Sequence, residues 1–149
     1  MTHLRTILAG AIAASLFAVS GLAQRGSAEQ TRVDQGKVER GKQLTEQVAK
    51  CQDCHTRRTA TGELDRSAWL RGVEADPVKA PAGKLPVRIP DITAEGTLWV
   101  LWGEKGMLEF LERGTSLSGA KPSVHMPSYK RRHDDAEAIV TYLKSLRRE

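Results

Sequence analysis

Cys51-Gln52-Asp53-Cys54-His55 is the stretch on which the reading of this chain turns. The chain has two cysteines, and both are here. A two-residue gap can close a redox dithiol, but His55 follows at once, and C-x-x-C-H is the pattern by which a c-type haem is attached. The spacing has a chemical reason. Two thiols add across the two vinyl groups of haem, so they must reach opposite sides of one ring edge. A helical turn with two intervening residues does that, and the next side chain then points beneath the iron. His55 is therefore the expected proximal ligand, bonding through one ring nitrogen while the other donates to a backbone carbonyl. A zinc site would need about two further Cys or His ligands at suitable spacing. The remaining histidines, His3, His125 and His133, form no such pair.

Toward the N-terminus, Arg5 precedes an apolar run from Ile7 to Val19, and Gly21-Leu22-Ala23 follows with small residues at the cleavage-type positions. That is the three-part pattern of a secretory signal. The run is short of the roughly 20 residues that cross a bilayer as a helix, so a cleaved signal is favoured over a retained anchor. No Cys lies near the cleavage site to carry a lipid. The expected organisation is a signal over residues 1–23, a flexible leader over 24–33, and one domain over 34–149. The expected location is the periplasm, with no membrane span after cleavage. Cysteines in such an oxidising compartment usually form disulfides, which makes their use in a C-x-x-C-H motif the more specific. Only 5% of the residues are aromatic, thin material for a protein-only core, and a large apolar cofactor would make up the difference.

Three helices are legible around the motif. Residues 34–50 carry Val38, Gly41, Leu44 and Val48 at helical spacing, and Gly41 would let another helix cross closely. Residues 99–113 place Trp102, Met107, Phe110 and Leu111 on one face, with Gly114 as a terminating residue. The last helix, 134–146, is expected to be capped by Asp134 with Glu137 three residues on. Ile139, Tyr142, Leu143 and Leu146 form its buried stripe, and Lys144, Arg147 and Arg148 lie at its C-terminal end, where positive charge suits the helix dipole. Between them, residues 56–91 hold Pro77, Pro81, Pro86 and Pro90, which rules out long helices. A loop of that length makes sense when it wraps a cofactor. Within it, residues 64–72 suit one short helical turn. There is no internal repeat and no strand pattern.

A second axial ligand has four candidates: Met107, His125, Met126 and His133. Met107 falls mid-helix on an apolar face, where a methionine is more often core filler. Met126 lies in the loop Val124-His125-Met126-Pro127-Ser128-Tyr129, where a thioether is readily aimed at a fixed point. It is the preferred candidate. His125, its neighbour, would give a lower potential than methionine does.

With these segments in view, the chain resembles the class I monohaem c-type cytochromes, such as small periplasmic bacterial cytochromes and the cytochrome subunits of dehydrogenases. The resemblance runs from Gly41 to Leu146. It is carried by Gly41-Lys42-Gln43-Leu44, the Cys51–His55 motif, Ile89-Pro90-Asp91-Ile92-Thr93, the Trp102 helix ending at Gly114, Met126-Pro127-Ser128-Tyr129, and the closing helix. It implies an all-α cytochrome c fold, about three to five helices wrapped around one haem with long loops. It implies thioethers at Cys51 and Cys54, axial ligation by His55 and Met126, and a Pro90 carbonyl accepting the proximal histidine proton. Asp91 stands where the family has asparagine. Trp102 resembles an aromatic near a haem propionate, and Gly41 and Tyr142 would meet where the first and last helices cross. The segment Gly62–Gly72 resembles a subfamily insert.

These features together predict one-electron transfer through a single covalent haem c, by a diffusible carrier or the electron-accepting subunit of a dehydrogenase, rather than an enzyme in its own right. Arg57, Arg58, Lys121, Lys130, Arg131 and Arg132 suggest a basic rim that would steer an acidic redox partner. The basic residues lack interleaved aromatics, so nucleic acid is a poor partner. The alternative is a haem enzyme or gas-binding sensor in which the sixth ligand is displaceable.

Overall fold

The described residues of the computed structural model are 32, 34–74, 88–116, 118–119, 121 and 126–146. The expected signal, nearly all of the leader, Pro77, Pro81, Pro86 and His125 lie outside them. The chain divides into two units, Met1–Gly36 and Lys37–Glu149. In the first, residues 32 and 34–36 are helical. The second holds all the elements below. The structure is mostly helical with almost no strand, compatible with an all-α class.

Helix α1 covers residues 37–48. It is α-helical as far as Lys42 and then opens into a π-helical segment, Gln43–Val48. The widened turns are closed by Ala49 N–H donating to Leu44 O at 2.8 Å and Cys51 N–H to Thr45 O at 3.0 Å. A wider turn rotates each successive side chain less, so the apolar stripe slips. Leu44 and Thr45 point inward, while Val48, expected on the buried stripe, is 56% exposed. Lys50 then takes a left-handed conformation (φ 52°), and the single turn α2, Gln52–His55, starts directly after it.

Helix α3, Thr97–Arg113, is broken at Gly103, with φ 63° and ψ −175°. That region of backbone space is essentially closed to residues with a Cβ. The expected uninterrupted helix is therefore two segments set at an angle, and the one after the break turns Gly106 and Met107 into the core. Gly114 ends it in the left-handed conformation, its N–H donating to Phe110 O.

Helix α4, His133–Ser145, starts one residue before the expected cap. Arg132 occupies the cap position and makes no side-chain cap bond. Asp134 and Asp135 lie within the first turn, where their charge suits the dipole. Glu137 pairs with Lys37 of α1 at 2.8 Å instead of reaching back to the helix start. The buried set is wider than one stripe: Ala136, Ala138, Ile139, Val140, Tyr142 and Leu143. The reason is that α4 packs against both α1 and α3.

The α1–α4 crossing depends on Gly41. A Cβ there would run into the Ala138 backbone and stand 2.7 Å from Tyr142 Cβ. Exposed ion pairs, Lys37–Glu137 and Arg40–Asp135, flank the same crossing, but such pairs contribute only about 0–1 kcal/mol each. The close backbone approach is the larger effect. Gly41→Ala should cost about 1–3 kcal/mol and lower the thermal midpoint by roughly 4–12 °C. An unchanged midpoint would mean the helices do not cross here.

His133, in the first turn of α4, stands 2.6 Å from Glu112 of α3. Its pKa is raised, first by that hydrogen bond and then by the Glu112 charge. A raised histidine pKa stabilises the fold fully below the unfolded value of about 6.5, and the gain is lost as pH rises through the folded value. A proton-NMR titration should find His133 titrating above an ordinary histidine, and Glu112→Gln should bring it down.

Candidate functional site

The end of α1, α2, residues 88–92, α3, residues 126–131 and α4 enclose a cavity of about 470 Å³. That lies in the range of small-molecule and cofactor sites, about 300–1,000 Å³. Its wall is mostly apolar, with Ile92, Leu98, Trp102, Phe110, Ile139 and Leu143 among the side chains that face it. Trp102 and Phe110 stack tilted, 5.4 Å between ring centroids.

Cys51 and Cys54 both lie on this wall as free thiols. The α2 turn fixes their separation, with His55 N–H donating to Cys51 O at 2.8 Å. Cys51 is half-buried, and that burial pushes its thiol up to about 11. A dithiol built for exchange needs the opposite, a pKa lowered toward neutrality. Among the described residues no three His, Cys, Asp or Glu side chains gather as a metal cluster.

His55 is 4% exposed. Its Nδ1 lies 2.8 Å from Pro90 O. A carbonyl only accepts, so Nδ1 carries the proton and Nε2 presents a lone pair. Burial lowers the pKa of the ring, which keeps it neutral. Nε2 in turn lies 3.5 Å from Met126 Sδ. A thioether sulfur has no proton to give, so these two atoms do not hydrogen-bond each other. Two electron-pair donors from opposite parts of the chain thus converge on one point in the cavity, beside two free thiols. An imidazole nitrogen and a thioether sulfur are an axial pair that suits haem iron, and the apolar wall suits its ring, so the residues present fit a covalently attached haem.

Of the other candidates for a second ligand, His125 lies outside the described residues. Met107 is buried in the core from α3 and reaches the cavity wall from there. His133 is at the start of α4 with Glu112. Asp91, where asparagine was the family pattern, accepts from Thr93 N–H at 2.8 Å and Thr93 Oγ1 at 2.7 Å. The carboxylate thus makes a local turn just past the Pro90 carbonyl.

The Gly62–Gly72 segment has a physical task that its composition did not disclose. It folds back along residues 57–59, with bridging at Arg58 and Leu64, and returns to the motif. Gly72 N–H donates to His55 O at 2.7 Å. Leu70, 0% exposed, sends its N–H to Thr56 Oγ1 at 2.9 Å and receives Ile92 N–H at 3.1 Å. Val73 and Ile89 exchange two backbone bonds at 2.9 and 3.0 Å. The segment therefore clamps the His55 backbone to the stretch of chain that carries Pro90. Gly72 has φ 78°, and a Cβ on it would stand 2.6 Å from Pro90 C and Asp91 N. A lone Gly72 after Leu70 is too weak a signal to find this from sequence.

Part of the expected basic rim is internally spent. Arg57 pairs with Asp65 at 2.7 Å, and Arg58 Nη1 donates to Gly62 O at 2.8 Å. Lys50, Arg88 and Arg131 border the cavity itself, and Arg88 pairs with Glu74 at 3.0 Å. No protein-family model and no curated protein matches this chain.

Thr56→Ala removes the acceptor for the buried Leu70 N–H. Leaving that group unpaired should cost about 1–3 kcal/mol in denaturant unfolding. Thr56→Ser keeps the hydroxyl and should recover most of the loss. Equal stability of the alanine and wild-type proteins would show that the segment is not anchored through this bond.

Proposed function

We propose that this chain is an exported one-electron carrier of the class I c-type cytochrome kind, with a cytochrome c fold. Cys51 and Cys54 would hold one haem c through thioethers, and His55 and Met126 would ligate its iron. The observation that carries the reading is the convergence of His55 Nε2 and Met126 Sδ, 3.5 Å apart, in an apolar cavity that also receives both thiols. Dithiol exchange accounts for neither the methionine nor the buried neutral histidine.

When bound, the haem supplies a one-electron couple whose potential depends on its ligands, hydrogen bonding and burial. His55 contributes a neutral imidazole, held in one tautomer by Pro90 O, and that bond raises the basicity of the ligating nitrogen. Met126 raises the potential relative to a second histidine. With His55 and Met126 both ligating, the iron would have no open position for a substrate, which favours a carrier over a haem enzyme or gas-binding sensor. The apolar wall from α3 and α4 keeps water away from the couple. Lys50 and Arg131 at the cavity, with exposed Lys130 and Arg132 beside them, suit a redox partner with an acidic docking face and make its approach salt-dependent. Among the described residues no helix is long and apolar enough to cross a membrane. Export to the periplasm with removal of residues 1–23 rests on the sequence pattern of the N-terminal segment.

The test is made on protein matured in a host that attaches haem. Haem should stay with the denatured chain and be lost from it when both Cys51 and Cys54 are replaced by alanine. The reduced wild type should resist carbon monoxide, and Met126→Ala should bind it readily. A wild type that binds carbon monoxide as readily as the variant would overturn the carrier and favour the sensor or enzyme. Comigration of the native protein with a larger dehydrogenase on a sizing column would make it a subunit instead of a free carrier.

A further inference from the structure

Among the described residues, the loop that carries Met126 is tied down at three points, and they are not equivalent. Ser128 Oγ donates to Gly114 O over a long 3.3 Å. Arg131 N–H donates to Leu111 O at 2.9 Å. Both of these fasten the loop to the C-terminal end of α3. The third tie is the Tyr129 hydroxyl, which donates to Ala49 O at 3.1 Å. Ala49 caps the end of α1, two residues before Cys51, where helix carbonyls are left without partners of their own. Of the three ties, this one joins the Met126 loop to the segment that carries the two thiols and His55. The Tyr129 ring borders the cavity, and the Arg131 guanidinium sits over it, 5.1 Å from its centroid.

We infer that Tyr129 is a positioning residue for the sixth ligand, whose hydroxyl governs how readily Met126 gives way to an external ligand. This rests on the reading of Met126 as axial ligand. Pro127 restricts the chain between the two residues, so an anchor at Tyr129 is transmitted to Met126. Without the hydroxyl, both remaining ties run to α3. The loop and the thiol-bearing segment then separate without breaking a hydrogen bond between them. Tyr129 thus sets how firmly Met126 holds the sixth position against a small ligand.

The experiment is a titration of the ferric, haem-loaded protein with imidazole, followed by absorbance. Tyr129→Phe keeps the ring beneath Arg131 and removes only the hydroxyl. Half-saturation should fall about 3- to 10-fold, the equivalent of one net hydrogen bond, while Ser128→Ala should change it less than twofold. A Tyr129→Phe value within twofold of wild type overturns the inference. So does an equal fall in Ser128→Ala, which would mark general loosening. Met126→Ala separates the two levels of the argument. Unchanged imidazole affinity in that variant removes Met126 as a ligand, and both readings fail. Raised affinity there with no change in Tyr129→Phe sinks only the role given to Tyr129.

Discussion

The hydrogen bond between His55 Nδ1 and Pro90 O is the interaction on which the rest of the structure depends. It spans 35 residues and 2.8 Å, and it decides the chemistry of the ring. With the proton committed to Nδ1, Nε2 is a bare donor of electrons pointing into the cavity. The surrounding chain is organised to keep the carbonyl there. Gly72 holds the His55 backbone from one side, while Leu70 and Val73 hold Ile92 and Ile89 on either side of Pro90. Buried Leu70 locks this clamp into the core shared with α3 and α4. A segment that looks dispensable in sequence is thus the frame that sets one ring nitrogen.

The cavity and the helix crossing divide the work of the fold. Gly41, Ala138 and Tyr142 bring α1 onto α4 by direct backbone contact. The Met126 loop is different. It carries few buried residues and depends on discrete hydrogen bonds to α3 and to the end of α1. On the proposed reading, the ligand on the rigid side is the histidine, and the ligand on the adjustable side is the methionine. That asymmetry places control of the sixth position in a few side chains outside the packed core.

Much of the site was legible because its chemistry imposes spacing. C-x-x-C-H is contiguous, and Met126 stands out in a loop with Pro127 beside it. Gly41 and Gly114 were legible for the same kind of reason, since each marks a place where a side chain has no room or the backbone turns left-handed. What escaped is what depends on geometry accumulated along an element. The π-helical turns of α1 carry no residue signature, yet they move Val48 out and Thr45 in. Gly103 breaks α3, although Gly106 three residues later is accommodated within the helix. Sequence does not distinguish two such glycines, because the difference lies in what the flanking segments must reach. Asp134 offered a cap and became a first-turn residue, because the backbone already enters the helix at Arg132.

The clamp and the tyrosine tie share a further property that explains why they were hidden. Each joins residues far apart in the chain through a backbone carbonyl: Gly72 to His55 O and Tyr129 to Ala49 O, whereas the bond from His55 to Pro90 O, built the same way, was expected from the family resemblance. A carbonyl is common to every residue, so the accepting partner leaves no trace in the sequence. In the tyrosine tie only the donor has a side-chain identity, in the Gly72 bond neither group has one, and a tyrosine or a glycine alone does not announce its target. The proposed ligating atoms are therefore written in residue types, while their aim is written in backbone. In this chain the second is what makes His55 and Met126 face each other.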